Sequence, residues 1–389
     1  MKKFILLIPI LFLMTGCYNY RELNDLAIIS GVSVSFDGEN YKIITEVLNP
    51  KKEQDASSGN EPDYVIYEGI GRSMQEAFRK IVKEAPKKLY GAQMDVLIID
   101  EKTAKEGIDD IMDFFARDPE VRSEFYILVS KSDEVLKIIS PLVNISSKNI
   151  MSSLEAVNTY MGTASLVTFH DLINDYLNPH IEIALPSVKM IGNVNVGETK
   201  TNIEESVVDA TNIIGNMAIF KNNKLVGYLN ELESLGYNII MNNSETFLIR
   251  SDYDKGDFIV NEIINSTTKM EAIVDKKKIT LTIEGKASIS EVNKDINLES
   301  DEVVSKLNKE LNKELETLVK NTIESTIKKF NSDIFGFRDL FYKTNPKKYK
   351  KLIKELGDDF LSSLEIDVKA KIEIIEKGNL NGGIYNEEG

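Results

Sequence analysis

A chain of 389 residues with 42% hydrophobic and 28% charged side chains is long enough for roughly two or three cores, so a disordered chain is not the starting expectation. Its 62 acidic residues against 47 basic ones leave a formal charge of −15, which repels nucleic acid phosphates and anionic headgroups alike. No nucleic acid partner is expected, and membrane attachment would need something other than a basic surface. A single cysteine excludes an internal disulfide, and His170 and His180 lie too far apart for the short-spaced zinc patterns, so no metal site is expected.

At the N-terminus Lys2 and Lys3 precede an apolar run over 4–14, which ends at Thr15-Gly16-Cys17. That run is too short to span a bilayer, which needs about 20 apolar residues. Small residues directly before a cysteine mark a lipoprotein signal peptide over 1–16. The Cys17 thiol takes a diacylglyceryl group, and cleavage frees its amine. Met14 stands where leucine is usual, with Leu13 one place earlier. The competing reading is an ordinary secretory signal with an incidental cysteine, and the isolation of Cys17 weighs against it. Two acyl chains on Cys17 give stable anchoring, since one chain is marginal and each buried methylene contributes about 0.8 kcal/mol.

After the anchor, alternation predicts a strand over 27–36, a turn at Asp37-Gly38 and a hairpin partner over 41–48. Residues 51–63 read as an exposed polar loop. Ser73 and Glu76 form a capping box for a helix carrying Met74, Ala77, Phe78, Ile81 and Val82, which stops near Pro86. Val96-Leu97-Ile98-Ile99 suits a buried strand. A helix with Ile108, Ile111, Met112 and Phe115 follows it, and then a second such strand at 125–129. This alternation suggests βαβ units and a partly parallel sheet. Helices near 153–160 and 169–177 come next, and 181–190 closes the domain. Residues 193–205, mixed in composition around Gly197, read as an interdomain linker.

The second half opens with short strands at 217–220 and 225–229, joined through Lys221-Asn222-Asn223-Lys224, where asparagines tolerate positive φ. Strands at 247–250, 258–264 and around 279–283 suggest an antiparallel sheet with one wet face. From 301 to 330 the positions Val304, Leu307, Leu311, Leu315, Leu318, Ile323, Ile327 and Phe330 mark one long amphipathic helix capped at Ser300. Its simplest role is to cover the sheet, the alternative being a partner-binding helix. Ile366, Val368, Ala370, Ile372 and Ile374 alternate with charged residues in a last strand, before a polar tail that begins at Gly378.

Chemistry-bearing motifs are scarce. There is no Walker loop, HExxH or GxSxG, and Gly69-Ile70-Gly71 lacks the third glycine of a dinucleotide fingerprint. Ser325-Thr326-Ile327-Lys328 matches an SxxK and Lys343-Thr344-Asn345 nearly matches a KTG, but Ser251-Asp252-Tyr253 precedes the supposed nucleophile instead of following it. The cluster Arg117-Asp118-Pro119-Glu120-Val121-Arg122 could do acid/base work. It can equally terminate a helix, with its arginines pairing locally or bonding exposed carbonyls. Lys343, Lys347, Lys348, Lys350 and Lys351 form either a solvated helix face or a patch for anionic headgroups.

Several stretches in the same order resemble the Ger(x)C family, the lipoprotein C subunit of nutrient germinant receptors in endospore-forming bacteria. They are Gly16-Cys17, Arg21-Glu22-Leu23, Leu26-Ala27-Ile28, Asp95-Val96-Leu97-Ile98-Ile99, Gly107-Ile108 and the Arg117 to Arg122 cluster. In the second half they are Gly215-Asn216-Met217-Ala218-Ile219-Phe220-Lys221, Leu225-Val226-Gly227-Tyr228-Leu229, and Asp333-Ile334-Phe335-Gly336-Phe337 followed by Pro346. Tyr18, Gln93 and Arg338 depart from the family pattern, which commonly has tryptophan, histidine and glycine there. The resemblance implies an outward-facing subunit on the spore inner membrane, assembled with two integral membrane partners, the A and B subunits. It also implies several α/β domains and no known catalysis.

The resulting expectation is a mixed α+β, multi-domain, non-enzymatic receptor subunit without cofactor or metal, lipidated at Cys17 and acting in receptor assembly and germination signalling. Its parts would be the signal 1–16, an N-terminal domain 17–192 with βαβ-like units, the linker 193–205, and a C-terminal domain 206–378. That last domain, an antiparallel sheet covered by a long helix, has room for two subdomains, and the tail 379–389 follows it. The rival is a solute-binding lipoprotein of an ABC transporter, whose two doubly wound domains the second half does not match. An envelope hydrolase lacks a convincing nucleophile and base.

Overall fold

The computed structural model describes residues 25–49, 62–85, 87–204, 206–254, 256–293 and 296–377. The signal, Cys17, Tyr18, most of the 51–63 loop and the polar tail lie outside them. The architecture is mixed α+β, with helices and strands interleaved around three sheets.

The first sheet begins as an antiparallel meander of β1 (Leu26–Phe36), β2 (Tyr41–Leu48) and β3 (Tyr64–Gly71). The short β4 (Lys88–Tyr90) pairs parallel with the start of β1. Beside the rest of β1 lie β5 (Val96–Asp100), β6 (Tyr126–Ser130) and later β8 (Ser187–Gly192), all parallel, giving the expected βαβ core. A parallel strand is buried on both faces, and β5 divides its side chains accordingly. Leu97 and Ile99 meet the helices Met74–Ile81, Asp109–Arg117 and Phe169–Leu177, whereas Val96 and Ile98 meet the helix Ser146–Met161.

The stretch 193–205 holds two short helices, Val194–Gly197 and Thr201–Glu204, and the strand β9 (Ala210–Ile214) then joins the first sheet antiparallel to β8. Buried Asn202 binds this stretch to its surroundings, donating to the carbonyls of Ile139 and Ala210 and accepting from the Ala210 N–H.

The middle sheet joins the two halves. Strand β7 (Ala184–Leu185) pairs with the hairpin of β10 (Ala218–Lys221) and β11 (Lys224–Tyr228). Asn222 and Asn223 take φ of 51° and 61°, the left-handed pair that a two-residue hairpin turn needs. Strand alternation then serves two cores at once. Ala218, Phe220 and Leu185 belong to the first core, while Met217, Ile219 and Ala184 belong to the second.

The last sheet runs β12 (Thr246–Asp254), β13 (Asp257–Ile273), β14 (Lys278–Val292) and β15 (Glu365–Glu376). The first three are antiparallel as expected, but β15 lies parallel to β14. The reason is the helix Asp301–Phe330. It leaves the far end of β14 and carries the chain back along the sheet, so β15 starts again beside Lys278. Its residues Leu307, Leu311, Leu315, Val319 and Ile323 are buried in the second core. The helix Glu231–Met241 had no sequence expectation. Residues 233–240 are all buried, so it shows no polar face to mark a helical period.

The Asp301–Phe330 helix also finishes the open edge of β15. Asn308, Asn312 and Glu316, one turn apart, accept the N–H groups of Ile374, Ile372 and Ala370 at 2.8, 2.7 and 2.9 Å. Asn312 donates back to the Ile372 carbonyl at 2.9 Å. An unpaired edge is a template for strand addition, and this side-chain ladder occupies it. Asn312→Leu is expected to cost about 1–3 kcal/mol and to speed aggregation during refolding. Light scattering of refolded wild type and variant checks this, with equal rates counting against it.

Candidate functional site

The 117–122 cluster forms a junction between helix and strand. The helix Asp109–Arg117 ends where Asp118 turns extended (φ −80°, ψ 110°) before Pro119. Arg117 pairs one turn back with Asp113 at 2.7 Å instead of bonding helix carbonyls. Asp118 Oδ1 accepts the Glu120 N–H at 2.9 Å, and Val121 N–H reaches the Asp118 carbonyl at 3.3 Å. Glu120 extends to Lys88 of β4. The two carboxylates therefore serve a turn and an ion pair.

Beside this junction a cavity of about 420 Å³ opens between β1, β4 and the helices Met74–Ile81 and Asp109–Arg117. Ile29, Val32, Leu89 and Met94 line it together with Phe78 and Phe114, whose rings stack at 5.5 Å. Both phenylalanines are only half-buried although they sit among core residues. Arg79, Lys88, Asp118 and Glu120 also line it. Strand pairing holds Lys88 opposite Leu26, and the Asp118 turn holds Glu120, so the surround is preformed. In sequence, only the charge cluster hinted at this site. The apolar walls come from elements far apart along the chain.

A second polar centre lies on the opposite face of the first sheet. Glu46 of β2 is fully buried and reaches the N-terminus of the helix Ser146–Met161, whose N-cap, Ile145, has no side-chain oxygen. Its carboxylate accepts Ser146 N–H at 2.9 Å, Ser147 N–H at 3.2 Å and the Ser30 hydroxyl at 2.6 Å, and it also bonds the Ser147 hydroxyl. Gly31 makes room, since a Cβ there would stand 3.0 Å from Ser147 Cβ. Burial pushes the Glu46 carboxyl up to about 7, against the pull of those donors. A glutamate within the apolar run 43–47 was the available sequence signal.

Two stretches of the sequence resemblance meet in space. The Ser332 hydroxyl donates to the Phe220 carbonyl at 2.6 Å, and the Glu182 N–H donates to the Asp333 carbonyl at 3.0 Å. Asp333, fully buried, caps the helix Phe337–Thr344 by accepting from Phe337 N–H and Arg338 N–H at 2.9 and 2.6 Å, while Gly336 takes φ 73°. Burial raises the Asp333 carboxyl to about 6. These residues pin the late helices to the central hairpin.

The remaining candidates are dispersed. His170 is exposed, and His180 packs on Tyr342 and Tyr349 at ring distances of 4.5 and 5.3 Å. Ser325 donates to Glu233, which pairs with Lys329 at 2.5 Å, so the SxxK serine is engaged with a carboxylate on the Glu231–Met241 helix. In the lysine run, Lys343 pairs with Asp339, Lys348 with Asp275 and Lys351 with Glu355. Gln93 is exposed. Cys17 lies outside the described residues. Among those residues, no group of three or more His, Cys, Asp or Glu could hold a metal ion, and no helix is long and apolar enough to cross a membrane.

The two α+β halves share the central hairpin, and the 215–221, 225–229 and 333–337 stretches pack around it in a multi-domain mixed α+β fold. The family descriptions that match are the spore germination protein N-terminal domain over 19–190 and the spore germination B3/GerAC-like C-terminal domain over 215–378. The chain belongs to the Ger(x)C family of spore germination proteins. It is 27% identical to spore germination protein KC of Bacillus subtilis, over 98% of this chain and 97% of that one. It is 23% identical to spore germination protein GerQC of Bacillus cereus, over 97% and 99%. The crystal structure of the GerBC protein shares the fold, with a TM-score of 0.53 at 17% identity, covering 92% of this chain and all of that one. A germination-related role follows from the family.

Proposed function

We propose that this chain is a membrane-anchored, non-enzymatic subunit of a nutrient germinant receptor, acting in receptor assembly and signal coupling on the outer face of the spore inner membrane. The observation that carries the reading is the match to both family domains along nearly the whole chain beyond the apolar N-terminus. The lipid on Cys17 would hold it beside integral membrane A and B subunits. Its pair of α+β cores, with capped helices and paired carboxylates, supports a scaffold more than a catalyst. The division into a signal 1–16, two germination-protein domains and a polar tail belongs to the same proposal.

Cys17→Ala is expected to block lipid transfer and the cleavage that depends on it, and so to reduce the amount of protein retained with its receptor partners. Some chains would stay tethered by the uncleaved signal. Intact mass of the membrane-extracted protein is the measurement. A mature N-terminus anywhere but Cys17, or an unmodified Cys17 thiol on the membrane-bound form, would sink the lipoprotein reading.

A further inference from the structure

A basic segment lies beside the point where the described chain begins. Over 79–88 stand Arg79, Lys80, Lys83, Lys87 and Lys88 against the single acid Glu84, a local charge of +4 in a chain of −15. The fold carries this segment to the start of β1. Strand β3 ends at Gly71, opposite Tyr41 at the far end of the first sheet, and the helix Met74–Ile81 runs back along the sheet. The chain then enters β4 beside the first residues of β1, with Lys88 opposite Leu26 and Leu89 opposite Ala27. Paired strands lie about 4.8 Å apart, so the basic segment and the emerging chain are direct neighbours.

Most of this charge is available. Lys80 pairs with Glu76 and Lys88 with Glu120, both near the surface, where such pairs contribute little. Arg79, Lys83 and Lys87 meet no carboxylate within ion-pair distance among the described residues. Arg79, Lys80 and Lys83 are exposed, and among them Val82 keeps 47% of its surface uncovered. The segment is held in place, since Lys83 N–H bonds the Lys80 carbonyl at 3.1 Å, Ala85 N–H bonds the Ile81 carbonyl at 2.9 Å, and Ala85 is buried. In the late lysine run, by contrast, Lys343, Lys348 and Lys351 all face carboxylates.

Cys17 precedes Asp25 by eight residues, a contour of at most about 28 Å. A lipid on Cys17 therefore keeps the start of β1, and the cations beside it, close to the headgroups. The net charge of −15 opposes their approach little, because at physiological salt a charge is felt over only about 8 Å. Cations around an exposed aliphatic side chain suit an interface, where the charges meet headgroups and the apolar group enters the boundary beneath them.

We propose that the 79–88 segment docks on anionic lipid headgroups, with Val82 at the headgroup boundary, and so fixes which face of the chain lies on the membrane. This inference rests on the anchoring proposed above and adds an orientation to it.

The test uses the full chain reconstituted into vesicles of phosphatidylcholine, alone or with about one-third phosphatidylglycerol, each carrying a nitroxide-headgroup lipid as quencher. With Cys17 blocked by its lipid, a fluorophore goes onto Val82→Cys or onto Glu39→Cys. Glu39 is exposed in the turn after β1, and the 11-residue strand sets that turn about 33 Å from Leu26. Quenching at residue 82 is expected to rise at least about twofold when phosphatidylglycerol is present, each basic side chain near such a surface favouring it about fivefold. About 0.5 M salt should remove the rise. Lys80→Glu combined with Lys83→Glu, both at exposed positions, should also remove it without moving the melting curve. Residue 39 should stay unquenched throughout. Equal quenching at residue 82 in the two kinds of vesicle, a rise that survives the double charge reversal, or quenching at residue 39 as strong as at residue 82 would each overturn the proposal. Intact mass tests the anchor separately. Should Cys17 prove unmodified, the anchoring reading fails, and the same labels in Cys17→Ala, held on the vesicle by the apolar run over 4–14, still decide whether the segment docks.

Discussion

Glu46→Ala is expected to lower the stability of the first core by about 3–5 kcal/mol near pH 5, the largest effect of any single polar substitution in that half. The change strands the buried N–H groups of Ser146 and Ser147 and leaves the Ser30 hydroxyl only the residue-46 carbonyl at 3.3 Å and the Ser147 hydroxyl only Asp95 at 3.4 Å, and each lost partner costs about 1–3 kcal/mol less any relaxation. The effect should depend on pH with a definite sign. The folded carboxyl sits at about 7, above its ordinary 4.5, so the folded state keeps its proton to higher pH than the unfolded state does. The stability this supplies is fully present below about pH 4.5 and is lost as pH rises through about 7, an amount on the order of 3 kcal/mol. The difference between wild type and variant should therefore narrow between pH 5 and pH 8. Asp333, also raised by burial but in the second core, gives the same slope in both proteins and cancels, whereas Asp95 shares the Ser147 hydroxyl with Glu46, so the comparison is made with Asp95→Asn in both backgrounds. Urea unfolding of both proteins at the two pH values is the check. An equal gap at both would refute the linkage.

Leu311→Asp is expected to cost more than about 4 kcal/mol and to melt the second core before the first. Leu311 is fully buried in the apolar cluster that joins the long helix to the last sheet, so an aspartate there would place a charge among hydrocarbon side chains. Thr317→Asp, at an exposed position on the same helix, should stay within about 0.5 kcal/mol of wild type. Two-probe thermal unfolding separates the cases. If the helix served only to bind a partner, Leu311→Asp would leave the melting curve nearly unchanged.

The same helix shows why one residue pattern supports several roles. Its apolar positions at 307, 311 and 315 read directly as a buried stripe, and that stripe is what the sheet covers. The neighbouring polar positions 308, 312 and 316 read as ordinary solvated residues. They instead seal an open strand edge, because the helix lies alongside β15.

The sequence alone determined the elements whose side chains alternate between apolar and polar surroundings. The Ser300-capped helix to Phe330, the hairpin turn at Asn222-Asn223 and the last charged-apolar strand all follow from local periodicity and turn chemistry. It also carried the family, because the matching stretches are linear runs in a fixed order. The tertiary structure decided whatever depends on which runs meet. Only assembly turned β15 parallel, since the return path of the long helix sets its direction. Assembly also hid the helix Glu231–Met241, whose nearly complete burial erases the period that would reveal it. It brought Glu46 to a helix end 100 residues away and set Lys88 against Glu120 beside an apolar cavity. Buried polar contacts and cavities are properties of neighbours in space, and local pattern records only neighbours along the chain.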